Sequence, residues 1–247
     1  MLEIRNLAMR YRTGKLALAG VSLRVAPGEL VVVLGSNGSG KSTLLRCIAR
    51  ILTPTAGEAW VGGEDFAKLE GEKLRRARMV LAMIFQQANL VKRRSVIANV
   101  ATGALGRHDD WRTALGRIPP EEIEPALRCL AAVGLEELAE QRASTLSGGQ
   151  AQRVAVARAL AQKPRALLAD EPVASLDPEA AEDMMRLLRQ LATDDGLAVL
   201  CVLHQPELAQ RYADRIVGIK SGILAFDLPA AEVPQDAIQR LYLSEAA

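Results

Sequence analysis

The chain has 247 residues, of which 49% are hydrophobic and 24% are charged, and its formal net charge is +2. This length suffices for one or two modest domains with a buried core, and the composition excludes a disordered chain. The mild charge gives no reason to expect nucleic-acid binding, and 3% aromatic residues are too few for the stacking platforms of single-strand binders.

The apolar runs have the length of strands. Leu30–Leu34 and Leu197–Leu203 fall far short of the roughly 18 residues that a membrane span needs. The residues up to Gly14 carry several charges and no apolar signal region, so we expect the chain to stay in the cytoplasm. The cysteines are isolated and odd in number, which favours small buried side chains over a disulfide framework or a zinc site. They are Cys47, Cys129 and Cys201.

The N-terminal part of the chain is typical of antiparallel strands. We predict strands over Leu2–Met9 and Leu16–Val25, with turns at Thr13-Gly14 and Pro27-Gly28. Glu58–Val61 is predicted to join the same sheet.

A phosphate-binding loop follows the first buried strand, Leu30–Leu34, and precedes a helix predicted over Lys41–Arg50. It matches G-x-x-x-x-G-K-[ST] in the strand-to-helix context that the motif requires. Glycines let successive N–H groups face one anion, and the helix N-terminus adds its positive dipole end. Lys41 can reach the β- and γ-phosphates, and Ser42 can offer its hydroxyl to Mg²⁺. The predicted nucleotide contacts are Gly35, Ser36, Asn37, Gly38, Ser39, Gly40, Lys41, Ser42 and Thr43.

Further apolar runs alternate with helical patterns, which predicts an α/β fold with a parallel sheet. The predicted strands are Val80–Phe85, Ala166–Ala169 and Ala198–Leu203, and the predicted helices are Gly149–Gln162 and Pro178–Ala192. Residues 93–146 are mostly helical and break this alternation. We therefore predict that they form an inserted helical subdomain.

Two acids stand at the end of the strand Ala166–Ala169. Asp170 is predicted to bind Mg²⁺ through water, and Glu171 to polarise an attacking water as general base. The pattern is weak by itself, but a phosphate loop upstream in the same sheet strengthens it.

A second glycine-rich turn, Leu146-Ser147-Gly148-Gly149-Gln150, opens a second helix. A hydroxyl, a flexible backbone and a helix N-terminus together make an anion site. A plain helix cap formed by Ser147 is the alternative interpretation.

The order of these motifs resembles that of the ATPase subunits of ABC transporters. The resemblance rests on the phosphate loop, Leu146–Gln150 with Gln152-Arg153, Asp170-Glu171 and Ser175-Leu176-Asp177, and it covers nearly the whole chain. It implies a P-loop NTPase fold with a RecA-like parallel core, an N-terminal antiparallel β subdomain and an inserted helical subdomain. The implied single domain, 1–247, divides into a core (1–92 and 160–225), a helical subdomain with the signature motif (93–159) and a C-terminal tail (226–247).

The resemblance also implies the cofactors ATP and Mg²⁺ and the roles of several residues. Tyr11 matches the aromatic side chain that stacks on adenine, although a half-buried strand tyrosine is a rival interpretation. Gln86 matches the glutamine that contacts Mg²⁺ and water near the permease. His204 matches the histidine at the γ-phosphate, and with Glu171, Gln86 and Lys41 it completes the implied catalytic set.

A dimer follows from the same resemblance. Ser147, Gly148, Gly149 and Gln150 match the signature loop, which in this family contacts the ATP held by the other subunit. Asp177 matches the aspartate that crosses the dimer interface.

Three classes of function compete. They are a transporter ATPase, a soluble ABC ATPase that acts on DNA or ribosomes, and a P-loop kinase. A kinase has no reason to carry Leu146–Gln150. Among soluble ABC ATPases, a chromosome-type protein would carry a long coiled coil after the phosphate loop, and ribosome-type members usually have two cassettes. The single cassette favours a transporter ATPase, which implies a separate membrane permease, a position on the cytoplasmic face of the membrane and an extracytoplasmic binding protein as an indirect partner.

The cargo is suggested by stretches similar to phosphonate-importer ATPases. Arg94 and Ala82 depart from that pattern in the region expected to lie near the permease, which leaves the permease partner open. Phosphite, phosphate and other small solutes remain alternative cargoes. The similar stretches are Met83–Arg93, Leu105–Arg107, Trp111-Arg112, Asp170–Asp177, Leu203–Gln205 and Tyr212–Arg215.

The segment Gly103–Pro120 contains His108 and Trp111 among glycines and charges. It is predicted to be either a mobile surface loop or a short amphipathic helix that helps to dock the permease.

Overall fold

A computed structural model of the protein describes residues 1–108, 111–114 and 116–243. The strands in this part are β1 (Leu2–Arg10), β2 (Leu16–Val25), β3 (Leu30–Leu34), β4 (Ala56–Val61), β5 (Glu64–Asp65), β6 (Leu81–Ile84), β7 (Ala166–Asp170), β8 (Ala198–Val202), β9 (Arg215–Lys220) and β10 (Ile223–Pro229). The α-helices are α1 (Lys41–Ile48), α2 (Gly71–Ala77), α3 (Val96–Ala101), α4 (Trp111–Ala114), α5 (Ile123–Ala132), α6 (Gly148–Ala161), α7 (Pro178–Thr193), α8 (Pro206–Tyr212) and α9 (Gln235–Tyr242).

The N-terminal strands form the predicted antiparallel sheet, in the order β2-β1-β4-β5. Buried residues alternate with exposed ones along parts of these strands, because one face of the sheet packs on the core and the other meets solvent.

The central sheet has the order β10-β9-β3-β8-β7-β6, and its pairs are parallel except for β10 with β9. Every residue of β3 is buried because both faces of the sheet are covered. Leu30, Val32 and Leu34 join the core that includes the apolar side of α7, whereas Val31 and Val33 pack with α1 and the antiparallel sheet. The phosphate loop, which follows β3, therefore starts where these two cores meet.

The predicted elements that the structure contains differ from the observed ones mainly at their ends, but two strands of the central sheet, β9 and β10, were not predicted. The strand predicted over Val80–Phe85 covers only Leu81–Ile84, because Val80 ends a 3₁₀ turn and Phe85 begins a loop. The helix predicted to reach Arg50 ends at Ile48, since Arg50 adopts a left-handed conformation with φ of 56°.

The middle of the chain is helical as predicted, and α3, α5 and α6 pack on one another. Two predicted subdomain limits divide regular elements, however. The limit between 159 and 160 cuts α6, and the tail predicted from 226 begins inside β10, which pairs with β9 in the central sheet.

The segment 103–120 is partly described. Thr102–Arg107 forms 3₁₀ turns and Trp111–Ala114 a helical turn, while residues 109, 110 and 115 lie outside the described part. In the ranges that the structure covers, no helix combines the length and the apolar character that a membrane crossing requires.

Candidate ATP site

The phosphate loop depends on glycines at both of its ends. Gly35 and Gly40 have φ of 156° and 111°. A Cβ on Gly35 would lie 2.2 Å from the Ile219 carbonyl oxygen, and one on Gly40 would lie 2.5 Å from the Ala17 carbonyl oxygen. The loop can therefore approach β9 and β2 this closely only without side chains at these positions.

Lys41 begins α1 and is 4% exposed. Its Nζ donates to the carbonyl oxygens of Gly35 at 2.7 Å and Ser36 at 3.0 Å, so the ammonium group lies within the curl of the loop. Burial lowers the pKa of Lys41, and the carboxylates of Glu171 and Asp170 oppose this shift. A phosphate group in the loop would offset the cost of that burial.

The loop also holds a buried donor. Ser39 Oγ is buried and has no hydrogen-bond partner among the described residues. An unpartnered buried hydroxyl is costly, and a phosphate oxygen would accept its hydrogen. The loop therefore fits a polyphosphate.

Ser42 and Asp170 meet although they are far apart in sequence. Ser42 Oγ donates to Asp170 Oδ1 at 2.8 Å, and Asp170 is 5% exposed. Burial raises the pKa of Asp170, whereas the Ser42 hydrogen bond and the charge of Arg46 lower it. A hydroxyl and a carboxylate are the kinds of oxygen ligand that Mg²⁺ prefers, so this pair fits that ion.

Glu171 and His204 form the other polar pair at this edge. They follow β7 and β8, which are neighbouring parallel strands, and His204 Nε2 lies 2.6 Å from Glu171 Oε1. Glu171 has a left-handed backbone with φ of 52°, and its N–H donates to the Val202 carbonyl oxygen at 3.2 Å. Such strain in a non-glycine residue is typical of functional positions.

Tyr11 lies beside α1, because its hydroxyl is hydrogen-bonded to Thr43 Oγ1 at 3.0 Å. The ring is half-buried, which agrees with both interpretations made from the sequence. Gln86 is exposed in the loop after β6.

The signature loop is a capped helix start. Ser147 Oγ accepts from the Gln150 N–H at 3.2 Å, and Gln150 Oε1 accepts from the Ser147 N–H at 2.9 Å. Ser147 is therefore the N-cap of α6, and its accepting hydroxyl still has its own hydrogen to donate. Ser147 and Gly148 are exposed.

Asp177 caps the neighbouring helix α7 by accepting from the Ala180 N–H at 2.9 Å. Gly149 lies against this helix, since a Cβ added to it would be 3.3 Å from Ala180 Cβ. The starts of α6 and α7 therefore lie side by side, with Ser147, Gly148 and Asp177 exposed and Gly149 and Gln150 half-buried.

Motif reasoning gave no role to three polar side chains on α6 and at its C-cap, although it quoted one of them, Gln152, as part of the family resemblance. They donate to main-chain carbonyls around β6, and their one signal in the sequence is polarity within an otherwise apolar helix. They are Gln152, Arg158 and Gln162.

A sequence model of the family described as "ABC transporter" matches residues 18–174. The chain belongs to this family. It is an ABC ATPase, an enzyme that binds and hydrolyses ATP, and its P-loop NTPase fold agrees with the one that the motifs implied.

Curated relatives are similar over nearly the full length. The "Phosphonates import ATP-binding protein PhnC" of Wolinella succinogenes is 45% identical over 99% of this chain and 89% of its own. The protein of the same name from Alcaligenes faecalis is 44% identical over the same shares of the two chains.

Solved structures agree with this fold. The dimeric ATP-binding cassette MJ0796 bound to ADP and Pi gives a TM-score of 0.81 at 33% identity, over 94% of this chain and all of its own. The cbiO1 protein from Clostridium perfringens, described as part of the ABC transporter complex cbiONQ, gives 0.83 at 28% identity, over 97% of this chain and 92% of its own.

Proposed function

We propose that this chain is the ATP-hydrolysing subunit of an importer whose membrane permease is a separate protein. Two copies would enclose two Mg²⁺-ATP molecules, each between the phosphate loop of one copy and the signature loop of the other. The observation that supports this proposal is that the anion-binding groups lie in two separate loops. Lys41 is buried within the phosphate loop, whereas Ser147 and Gly148 are exposed at the start of α6. A dimer such as that of MJ0796 would give the second set a phosphate to bind.

In this proposal, the side chains at the carboxyl edge of the central sheet have different roles in ATP hydrolysis. Lys41 holds the β- and γ-phosphates, and Ser42, Asp170 and Gln86 hold Mg²⁺, which when bound neutralises charge on those phosphates. Glu171 accepts a proton from the water that attacks the γ-phosphate. His204, at 2.6 Å from Glu171, orients that carboxylate and faces the γ-phosphate.

The general-base assignment is tested by Glu171→Gln. This change keeps the shape of the side chain but removes its basicity, so turnover should fall by at least about a hundredfold while ATP binding persists. Glu64→Gln, which changes an exposed glutamate in β5 of the antiparallel sheet, is the matched control and should turn over ATP normally. Normal turnover by Glu171→Gln would contradict the assignment.

The dimer is tested with the same variant. Because ATP is retained when hydrolysis is blocked, the Glu171→Gln protein should dimerise in ATP and separate in ADP, as measured by light scattering. A monomer in saturating ATP, both alone and with the solubilised permease, would contradict the sandwich arrangement.

We propose phosphonates, or a related phosphorus oxyanion, as the cargo of the complete importer. The support is the naming of curated relatives as phosphonate import proteins and the similarity around Met83–Arg93, which ATP binding does not require. Calorimetric titration of the binding protein encoded beside this subunit is the direct test. Tight binding of methylphosphonate, aminoethylphosphonate or phosphite supports this cargo, whereas tight binding of an amino acid or a sugar instead would refute it.

A position on the cytoplasmic face of the membrane follows if the permease is the partner. ATPase activity should rise when the detergent-solubilised permease is added. Stimulation by DNA or ribosomes instead would favour the alternative of a soluble ABC ATPase.

A further inference from the structure

A cavity of about 700 Å³ lies where β6 and β7 begin, at the edge of the central sheet away from the ATP site. Arg165 precedes β7 and lines the cavity, whereas Asp170 ends the same strand. At the usual rise of a strand these two residues are about 16 Å apart. The volume falls within the range of about 300–1,000 Å³ that is typical of small-molecule sites, so the cavity can hold a ligand of its own.

Part of the cavity wall is apolar. Val61 and Ala77 are buried, and Leu69 and Val80 are half-buried. They come from β4, from α2 and from the segments that flank α2. A ligand with an apolar or aromatic group would remove this surface from water, which favours binding.

Cationic side chains from separate elements stand around this apolar surface. Lys73 and Arg76 are three residues apart on α2 and therefore lie on the same side of that helix. Arg165 is held at the start of β7, where its N–H donates to the Val80 carbonyl oxygen at 2.8 Å. Its guanidinium extends over the turn between β4 and β5, since a Cβ added to Gly62 would lie 3.9 Å from Nη1.

Two other cations of the cavity are already compensated. Lys68 Nζ lies 3.0 Å from Asp65 Oδ2, and Arg76 Nε lies 2.8 Å from Glu72 Oε1. These pairs stabilise the walls of the cavity and leave little charge for a ligand.

Lys73 and Arg165 are different. Among the residues that the structure describes, no carboxylate lies within ion-pair distance of either side chain. Both side chains are exposed, and the exposed Glu64 is the nearest candidate partner on the cavity wall without forming a pair with them. Two like charges directed at one concave surface favour an anion between them.

We propose that this cavity binds an organic phosphate or phosphonate, with the phosphorus oxyanion between Lys73 and Arg165 and the organic group on the apolar surface. Such a group carries up to two negative charges near pH 7, which matches the two unpaired cations. The planar fork of Arg165 suits two oxygens of the anion. The ligand has two possible sources, a nucleoside monophosphate or a phosphonate that has been imported.

The test is made in a Lys41→Ala background, because Lys41 is the cation of the phosphate loop and its loss weakens binding at the ATP site. Calorimetric titration of this protein with AMP and with phenylphosphonate should show one site per chain. Adding Arg165→Gln or Lys73→Gln should weaken binding at least about tenfold, the scale of losing a hydrogen bond to a charged group. Adding Glu64→Gln should strengthen binding, because it removes a like charge from the cavity wall.

Arg117→Gln is the matched control, since it removes an exposed cation from the helical subdomain and should leave the affinity unchanged. Melting temperatures of all the variants should stay near that of Lys41→Ala, because the changed side chains are exposed. Inorganic phosphate should bind more weakly than either organic ligand, since it leaves the apolar surface in water.

Tighter binding of AMP would identify a nucleotide as the source of the ligand, and tighter binding of phenylphosphonate would identify a phosphonate. No binding, binding that Arg165→Gln and Lys73→Gln leave unchanged, or equal affinity for inorganic phosphate would overturn the inference. The proposed function would survive each of these results, because it depends on ATP hydrolysis by the protein with Lys41 in place.

Discussion

Substitutions of Ser147 separate its part in the helix cap from its proposed contact with ATP. The hydroxyl accepts from the Gln150 N–H, which makes Ser147 the N-cap of α6. Ser147→Ala removes this acceptor and should lower the free energy of unfolding by about 1 kcal/mol. For a chain of this size, that corresponds to a melting temperature lower by about 2–4 °C. Ser147→Asp and Ser147→Asn keep an acceptor, so both proteins should melt near the wild type.

The rate of ATP hydrolysis should rank the Ser147 variants differently from their melting temperatures. An aspartate at this position would bring a negative charge toward the γ-phosphate of the partner's ATP. Two like charges about 4 Å apart repel by about 1 kcal/mol in water and by about 4 kcal/mol at an effective dielectric constant of 20. Because each 1.4 kcal/mol is about a factor of ten, turnover should fall between about fivefold and several hundredfold. The closing of the dimer excludes water, which favours the larger value.

The assays are thermal melting without nucleotide and steady-state ATP hydrolysis. Ser147→Asp should be the more stable protein and Ser147→Ala the more active one, so stability and activity should change in opposite directions. Ser147→Asn caps the helix without a charge and is the matched control. Equal turnover by the Asp and Asn variants would refute the reasoning, because a charge that has no effect is not near a phosphate.

Substitutions at three other positions test separate parts of the site. Tyr11→Phe should keep the KM for ATP and Tyr11→Ala should raise it at least about fivefold, because stacking uses the ring and not the hydroxyl; an unchanged KM in Tyr11→Ala would contradict the adenine contact. Asp170→Asn should abolish Mg²⁺-dependent turnover yet melt higher than the wild type at pH 7 without nucleotide. Burial raises the pKa of Asp170, so its ionised form destabilises the fold above that pKa, and the difference in melting temperature should vanish as the pH falls and the carboxyl becomes protonated. Gly35→Ala should lower the free energy of unfolding by about 1–3 kcal/mol and weaken ATP binding, since its Cβ would clash with the Ile219 carbonyl. Gly134→Ala, with a positive φ of 70° but open space around it, should melt higher than Gly35→Ala.

The difference in melting temperature between the wild type and Asp170→Asn should depend on pH in one direction. The wild type should lose melting temperature relative to Asp170→Asn as the pH rises through the raised pKa of Asp170. A variant that melts below the wild type at pH 7 would show that the Ser42 hydrogen bond, and not burial, dominates this position.

The sequence by itself determined the elements whose requirements are local. The strand Leu30–Leu34 was predicted to the residue, because a run buried on both faces is apolar throughout. The phosphate loop and the signature turn could be recognised because their glycines, hydroxyls and helix starts lie within a few consecutive residues. Strands β9 and β10 were both missed as parts of the central sheet: β9 has a run of only four buried residues that includes Gly218, and β10 has an irregular burial pattern.

Tertiary structure decided which distant residues meet. Ser42 and Asp170 are 128 positions apart, Phe85 and Gln152 are 67 apart, and Glu171 and His204 are 33 apart. Each contact depends on the order of strands in the central sheet and on the helix that covers its edge. The strand order is set by the burial of apolar surface from many parts of the chain, so it cannot be predicted from any short stretch of sequence. In the sequence, Gln152 therefore cannot be distinguished from a solvent-exposed polar residue of a helix, and only the structure shows its hydrogen bond to the Phe85 carbonyl oxygen.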